Sequence, residues 1–318
     1  MTAARRPTVL VTEPIHQGGI DALQEFADVI RPDRPDEPSI LGVAPAANAI
    51  VVRVAPITAA VIDAAPNLRC IQKHGVGVDS IDVDHATRRG IPVCFTPEAN
   101  AASVAEFTVA AALALLKRIP DRDRLVRSGG WRDSGDLPAH EIAGRTVGII
   151  GSGRIGLRVL RAFTLGLDMQ GLVFDPFVPA NVVRDHGGQP VDSLEALLRR
   201  SDIVTLHTPL TPETRHLINA QRLEQMRPHA ILVNTCRGPV VDEHALADAL
   251  AGGSIAAAAI DVFENEPPVG SPLLHAPNLI LSPHVAGITF ETNVRTAAHC
   301  AQEVQRVLAN RSPRWRVN

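Results

Sequence analysis

Tyrosine is absent from all 318 residues, and aromatic side chains make up only 3% of them. Any catalytic proton donor must therefore come from another residue type, such as histidine or a carboxylic acid. Cysteine is scarce as well: Cys70, Cys94, Cys236 and Cys300 lie far apart, with no C-x-x-C pair. That spacing indicates neither a zinc site nor a disulfide framework, and it favours a reducing compartment. No metal ligand set is expected. No apolar run is long enough to span a bilayer. Met1 to Pro7 is short and basic and runs straight into the apolar Thr8-Val-Leu-Val11. Without an apolar core of roughly 7–15 residues there, no signal peptide is expected, and the location is read as cytoplasmic. A strong charge of one sign is also missing, since the formal net charge is −3. Neither a nucleic-acid nor a membrane-surface partner is expected.

What the chain does have is length enough for two domains and a 45% hydrophobic content that can fill two cores. Its organising stretch is Thr146-Val-Gly-Ile-Ile-Gly-Ser-Gly-Arg-Ile-Gly156, closed by Val173-Phe-Asp-Pro176. This reads as strand, glycine turn, helix, strand and acid. Gly151 would let the chain turn sharply, Gly153 would let backbone approach a pyrophosphate, and Gly156 would let helix and strand pack closely. The helix start offers N–H groups and partial positive charge to phosphates. Asp175 stands where a carboxylate can hold an adenosine ribose. It also argues for NAD over NADP, because it repels a 2′-phosphate and Pro176 and Phe177, not arginine, follow it.

The rest of the chain alternates strand and helix patterns. Residues 8–96 read as about five parallel strands, at Thr8–Val11, Val29–Ile30, Ala49–Val54, Leu68–Gln72 and Ile91–Phe95. Helices are expected at Gly19–Phe26, from Thr58 (an N-cap) to Ala65, and at Asp84–Arg89, with the Pro-rich Arg31–Pro38 as a loop. Asn100–Leu116 is an alanine-rich helix with Glu106 almost its only charge, so burial on several sides is expected. Residues 117–144 are rich in charge, Gly and Pro and read equally as an arm over a neighbour or as a surface loop with one short helix. A second α/β unit follows, with β-like segments at 146–150, 170–174, 189–191, 202–206, 230–234 and 256–260, then Leu279–Ser282. Thr289–Leu308 is a long final helix and Asn310–Asn318 a polar tail. The first unit lacks a closing helix, so the chain is expected to return to it. The expected domains are 1–99 with 288–318, and 100–287. A hinge cleft between two such domains is a natural ligand site.

Three polar residues follow strands of the second unit. Arg237 ends Ala230-Ile-Leu-Val-Asn-Thr-Cys-Arg-Gly238, Glu264 and Glu266 lie in Ala259-Ile-Asp-Val-Phe-Glu-Asn-Glu-Pro-Pro268, and His284 lies in Leu281-Ser-Pro-His-Val-Ala-Gly287. Open parallel sheets bind ligands outside these carboxyl ends. Each residue alone is commonly structural, but together their types match one reaction. Interconverting an alcohol and a ketone needs an acid/base, which histidine supplies near neutrality, oriented by a carboxylate. A guanidinium can clamp a carboxylate with two hydrogen bonds. A nicotinamide would carry the hydride.

These stretches, with Lys73-His-Gly-Val-Gly-Val-Asp-Ser-Ile-Asp82, Asn100-Ala-Ala-Ser-Val-Ala-Glu106 and His207-Thr-Pro-Leu-Thr-Pro-Glu-Thr214, resemble the D-isomer-specific 2-hydroxyacid dehydrogenases, the phosphoglycerate dehydrogenase-like family. The resemblance covers nearly the whole chain. It implies an α/β fold of two doubly wound parallel sheets, with a Rossmann NAD-binding domain inserted in a discontinuous flavodoxin-like substrate domain. It implies Arg237, Glu266 and His284 as the catalytic set. Around the NAD cofactor it places Val104, Gly151, Gly153, Arg154, Ile155, Gly156, Asp175, Thr208, Pro209, Thr214, Cys236, Asp261 and Gly287. Arg154 and Ile155 would meet the pyrophosphate and Asp175 the ribose. Thr208 and Pro209 would line the adenosine, and Cys236 (through its backbone) and Asp261 would orient the carboxamide. Arg53, Lys73, His74, Val76 and Gly77, with Arg237, would contact substrate. A homodimer through the cofactor domain is implied, and it favours the arm over the loop for 117–144.

Arg53 and Lys73 resemble the phosphate-binding positions of phosphoglycerate-oxidising relatives. Val54, however, stands where those relatives often carry a small polar residue. A small 2-keto acid such as glyoxylate or hydroxypyruvate is therefore favoured over 3-phosphoglycerate. The chain ends soon after its last helix, so the regulatory extension of long phosphoglycerate dehydrogenases is expected to be absent. A non-enzymatic NAD(H)-sensing regulator and a formate- or phosphite-type dehydrogenase are the alternatives on the same fold.

Overall fold

A computed structural model describes residues 6–131 and 138–318. The chain forms two compact units, one of residues up to Asn100 with Ile288–Asn318, the other Ala101–Gly287. Among the described residues no helix is long and apolar enough to cross a membrane.

The first unit is a five-stranded parallel sheet. Its strands are β1 (Thr8–Val11), β2 (Asp28–Ile30), β3 (Ala49–Val52), β4 (Cys70–Lys73) and β5 (Val93–Cys94), in the order β2-β1-β3-β4-β5. The alternation of each strand splits its side chains between two cores. Leu10, Ile50, Val52, Ile71 and Val93 face one core, and Val9, Val11, Val51, Cys70 and Cys94 face the other. Burial on both faces is why these strands read as continuous apolar runs. The helix Phe290–Leu308 covers the second face with Cys300, Ala301, Val304 and Val307, and it packs on the helix Gln17–Gln24.

The second unit holds seven parallel strands: β6 (Thr146–Ile150), β7 (Gln170–Phe174), β8 (Gly188–Pro190), β9 (Ile203–Leu206), β10 (Ile231–Asn234), β11 (Ala257–Ile260) and β12 (Leu279–Leu281). Their order is β12-β11-β10-β9-β6-β7-β8. The chain leaves β6 toward β7 and β8, then crosses to β9 on the other side. That reversal is the topological switch point where open α/β sheets bind ligands.

Three expectations change. The Pro-rich segment starts a helix, Glu37–Val43, because Pro38 is tolerated in a first turn and the Asp36 side chain caps Ser39 N at 2.9 Å. The tail after Asn310 pairs with the edge of β5. Cys94 bridges Arg316, Val317 N donates to Val93 O at 2.8 Å, and Arg314 Nε reaches the fully buried Glu303 at 2.7 Å. The helix Ala101–Leu116 buries one side and leaves the other open. There Ala102, Glu106, Val109, Ala110 and Leu113 line a groove of about 420 Å³ with Arg158 and Ala162 of the helix Arg154–Gly166.

The stretch 117–144 contains a helix, Ile119–Arg127, with no buried residue. Residues 132–137 of that stretch, and residues 1–5 of the basic start, lie outside the described residues. The short helices Ala180–Asp185 and Ala220–Glu224, which carry too few apolar residues for a periodic signal, also lie in the second unit.

Candidate active site

The glycine turn sits at the switch point, and each glycine has a separate reason to be one. Gly151 has φ +89°, and a Cβ there would lie 2.7 Å from the carbonyl oxygen of His207, just past β9. A Cβ on Gly156 would lie 2.0 Å from the Gly151 carbonyl oxygen. Gly153 differs, since a Cβ there would meet no protein atom within 4 Å. Its bareness serves no packing within the chain and leaves the backbone open to a ligand. The helix Arg154–Gly166 starts at this glycine without a side-chain cap, whereas Asp36, Thr58, Ser193 and Asp242 cap other helices. Its first N–H groups and the positive end of its dipole are thus available to phosphate.

Asp175, just past β7, ties this turn down. Its Oδ2 accepts from Ser152 N at 2.6 Å and Ser152 Oγ at 3.1 Å, and its Oδ1 from Phe177 N at 2.9 Å. A carboxylate has about four acceptor sites, so capacity for ribose hydroxyls remains. These residues fit the adenosine and pyrophosphate of a dinucleotide. Burial pushes the pKa of His207 down to about 3, so its ring is neutral beside the turn. The Thr214 hydroxyl donates to Pro209 O at 2.7 Å and accepts from Thr211 N at 2.7 Å, so it shapes the loop that carries Thr208 and Pro209. Val104 is 4% exposed on the helix Ala101–Leu116.

The ends of β10, β11 and β12 carry the three polar residues. Past β10, the buried Asn234 side chain spans the turn, with Oδ1 accepting from Cys236 N and Nδ2 donating to Arg237 O, each at 3.0 Å. Arg237 is further held by Nη1 donating to Cys236 O at 2.6 Å. Burial pushes the Cys236 thiol up, which keeps it protonated. Next comes Gly238, whose missing Cβ would lie 1.9 Å from the backbone carbon of Phe263. The loop after β11 is thereby seated against the turn after β10. In that loop Glu266 Oε1 accepts from Phe263 N at 3.1 Å, and Oε2 lies 2.8 Å from His284 Nδ1.

His284 is held in the left-handed region, with φ +55°. Asp261, 1% exposed at the end of β11, enforces this conformation. Its backbone oxygen accepts from His284 N at 2.7 Å. Its carboxylate accepts from Ser282 Oγ at 2.6 Å and from Val285 N and Ala286 N at 2.9 Å each. Ala286 O in turn accepts from Ser103 Oγ at 3.1 Å, just before Gly287. Asp261, assigned to the carboxamide by resemblance, is thus also the support beneath His284.

In the first unit the loops after β1, β3 and β4 meet. Glu13 is 7% exposed and gathers the backbone after β3, accepting from Arg53 N at 2.8 Å, Val54 N at 2.6 Å and Ala55 N at 2.8 Å, and from the Thr12 hydroxyl. Arg53 Nη1 donates to Pro14 O at 3.1 Å, and the Lys73 ammonium donates to Arg53 O. Burial, then the charges of Arg53 and Lys73, push the pKa of His74 down to about 4, and its buried Nε2 has no partner among the described residues. Thr96 fixes the next residue, its Oγ accepting from Gly75 N at 3.1 Å and donating to Gly75 O at 3.0 Å. Val76 and Gly77 follow directly.

Burial raises the Glu13 carboxyl, but the Thr12 hydroxyl and three backbone N–H groups outweigh it, so its pKa lies below the ordinary 4.5. A carboxylate whose folded pKa is depressed stabilises the fold above its unfolded pKa, and that stability is lost as pH falls through the folded value. Glu13→Gln is therefore expected to lower the melting temperature at pH 7 and to flatten the loss of stability below pH about 4.5. Thermal unfolding at pH 7 and pH 4 checks this. An acid loss as steep as that of the unsubstituted chain removes Glu13 from the account.

Glu13, Thr96, Asn234 and Ser282 are supports that carry no signal of their own in the sequence. Asn234 and Ser282 lie inside the strand-end motifs, the first three residues before Arg237 and the second two before His284. Glu13 and Thr96 act across 40 and 21 positions respectively, a reach no local pattern carries.

A family model described as "D-isomer specific 2-hydroxyacid dehydrogenase, NAD binding domain" matches residues 109–286, more than half of the chain. The chain belongs to the D-isomer specific 2-hydroxyacid dehydrogenase family. Residues 109–286 form its NAD-binding domain. The chain is 40% identical over 302 residues to a D-3-phosphoglycerate dehydrogenase of Methanocaldococcus jannaschii, covering 94% of this chain and 57% of that protein. It thus spans little more than half the length of that relative. It is 39% identical over 322 residues to a glyoxylate reductase of Thermofilum pendens, covering 98% and 95% of the two chains. Among solved structures, a D-lactate dehydrogenase from Aquifex aeolicus, complexed with NAD and lactic acid, superposes with a TM-score of 0.86 at 29% identity, covering 95% of this chain and 96% of that one.

Proposed function

We propose that this protein is an NAD-dependent oxidoreductase that interconverts a small 2-keto acid and the D-2-hydroxy acid. The observation that carries the reading is the His284–Glu266 pair at 2.8 Å, beside the Arg237 turn at the carboxyl ends of neighbouring strands. Glu266 engages Nδ1, so Nε2 is the ring nitrogen that gives a proton to the carbonyl oxygen or takes one from the hydroxyl. The carboxylate fixes both ring orientation and tautomer. Arg237 holds the substrate carboxylate, its backbone fixed by Asn234 and its guanidinium by the Cys236 carbonyl. NADH, when bound, supplies the hydride to the carbonyl carbon. The uncapped helix start with Gly153 holds its pyrophosphate, and Asp175 its ribose.

A non-phosphorylated substrate such as glyoxylate or hydroxypyruvate is favoured. In the first unit the Lys73 ammonium and the Arg53 guanidinium are committed to backbone carbonyls, contacts a phosphate would have to displace. The N–H groups of Val76 and Gly77 are the contacts proposed for the substrate carboxylate, beside the neutral His74 with its buried Nε2. The deciding experiment is a panel of glyoxylate, hydroxypyruvate, pyruvate and 3-phosphohydroxypyruvate, run with NADH and with NADPH. NADH oxidation fastest with an unphosphorylated acid supports the reading. No oxidation across the panel, with NADH binding confirmed, overturns it.

We also propose a homodimer through the open face of the helix Ala101–Leu116. The groove it forms with the helix Arg154–Gly166 is apolar except for Glu106 and Arg158, opposite charges that a two-fold axis can pair between copies. A light-scattering mass near 33.9 kDa, that of one chain, would rule it out.

A further inference from the structure

The loop that carries Glu266 is poorly held by packing, since residues 265–267, 269 and 270 are exposed and Val269 is 87% exposed. Its two ends converge on one side chain. Glu243, 7% exposed, opens the helix Glu243–Ala251. Its Oε1 accepts from Glu264 N at 2.7 Å, and its Oε2 accepts from the Ser271 hydroxyl. Glu264 returns the contact, its Oε1 accepting from Glu243 N at 3.2 Å and lying 3.1 Å from His216 Nε2. The helix does not need Glu243 as a cap, because Asp242 already accepts from Ala245 N at 3.0 Å. A buried carboxylate is costly unless its oxygens are satisfied, and here both are spent on the loop.

We propose, resting on the dehydrogenase reading above, that Glu243 is a positioning residue for Glu266. It brackets the loop at Glu264 and Ser271 and so keeps the Glu266 carboxylate on His284 Nδ1. His216 holds Glu264 from the other side. The bracket acts through Glu266 and touches neither substrate nor cofactor.

A misplacement of about 1 Å at a reacting group costs about 100-fold in rate. Glu243→Ala is therefore expected to lower kcat by about 10–100-fold, with KM for the keto acid and the NADH dissociation constant within about threefold of the parent. Glu243→Gln should restore most of the rate, since its amide can accept from Glu264 N and donate to Ser271 Oγ. Ser271→Ala, which removes one of the two Glu243 contacts together with the cap on Leu273 N, should lose less than Glu243→Ala and guards against a variant that fails to fold. In a Glu266→Ala background, where no side chain is left to position on His284 Nδ1, Glu243→Ala should cost nothing further. Equal losses in both backgrounds, or a lowered melting temperature with kcat intact, would overturn the proposal. Nitrogen-15 spectra of the histidine side chains, with His284 assigned from His284→Asn, give a readout independent of turnover. Glu243→Ala or Ser271→Ala should weaken the Nδ1–H signal bonded to carboxylate, and an unchanged His284 signal also overturns the proposal. If the unsubstituted protein reduces no keto acid, the dehydrogenase reading fails, while the spectra still decide the bracket.

Discussion

His284→Ala lowers kcat for keto acid reduction by about 10²–10⁴-fold, the usual worth of a positioned general acid. The ring is half exposed and packs no core, so the melting temperature should barely move. NADH affinity should also hold, because the glycine turn and Asp175 lie past β6 and β7, while His284 follows β12. The loss should therefore fall on kcat and not on KM for the cofactor, the pattern of an interaction made only in the transition state. Glu266→Gln should cost less, because an amide oxygen can still accept the Nδ1 hydrogen but without the strength of a charge-assisted bond. Steady-state kinetics, NADH fluorescence titration and thermal unfolding of the three proteins check this. A His284→Ala protein turning over within about threefold of the parent would take the proton transfer away from this residue.

Gly238→Ala is the second large effect, and it is steric. The added methyl would lie 1.9 Å from the Phe263 backbone carbon, 2.0 Å from its oxygen and 2.5 Å from Glu264 N. All three are backbone atoms, so no flexible side chain can move aside and the loop itself must shift. Overpacking of this kind costs about 1–3 kcal/mol. Across a unit of this size that lowers the melting temperature by about 2–12 °C. The shift separates the Glu266 loop from the Arg237 turn, so kcat/KM should fall by about 100-fold or more. NADH binding, assigned above to the turn after β6, should persist. A variant with parental activity and stability would show that the two strand-end turns are not held together by this contact.

Much of the site is legible in the chain because its signals are local. The glycine motif packs its demands into six residues. Gly151 needs positive φ, Gly156 permits helix–strand contact, and a Cβ on Gly153 would meet no protein atom within 4 Å. The strand-end residues Arg237, Glu266 and His284 can be found because each follows a short apolar run. Helix starts at Thr58 and Thr289 are likewise visible, since each is capped by its own hydroxyl three residues on. The helix at Glu37–Val43 was hidden by the proline inside it, a residue that breaks a helix interior but not a first turn.

The sequence alone thus determined the alternation of strands and helices, the dinucleotide turn with its acid, and which side chains stand at the strand ends. Only the tertiary structure decided how those side chains are held. Asp261 supports the His284 turn across 24 positions, Glu13 gathers Arg53–Ala55 across 40, and Glu243 grips Glu264 across 21. Such contacts follow from strand order and register, which join residues remote in the chain and leave no period to read. The polar tail shows the same limit. Its composition gave no sign of pairing, yet it covers the open edge of β5 because an unpaired strand edge there needs a partner.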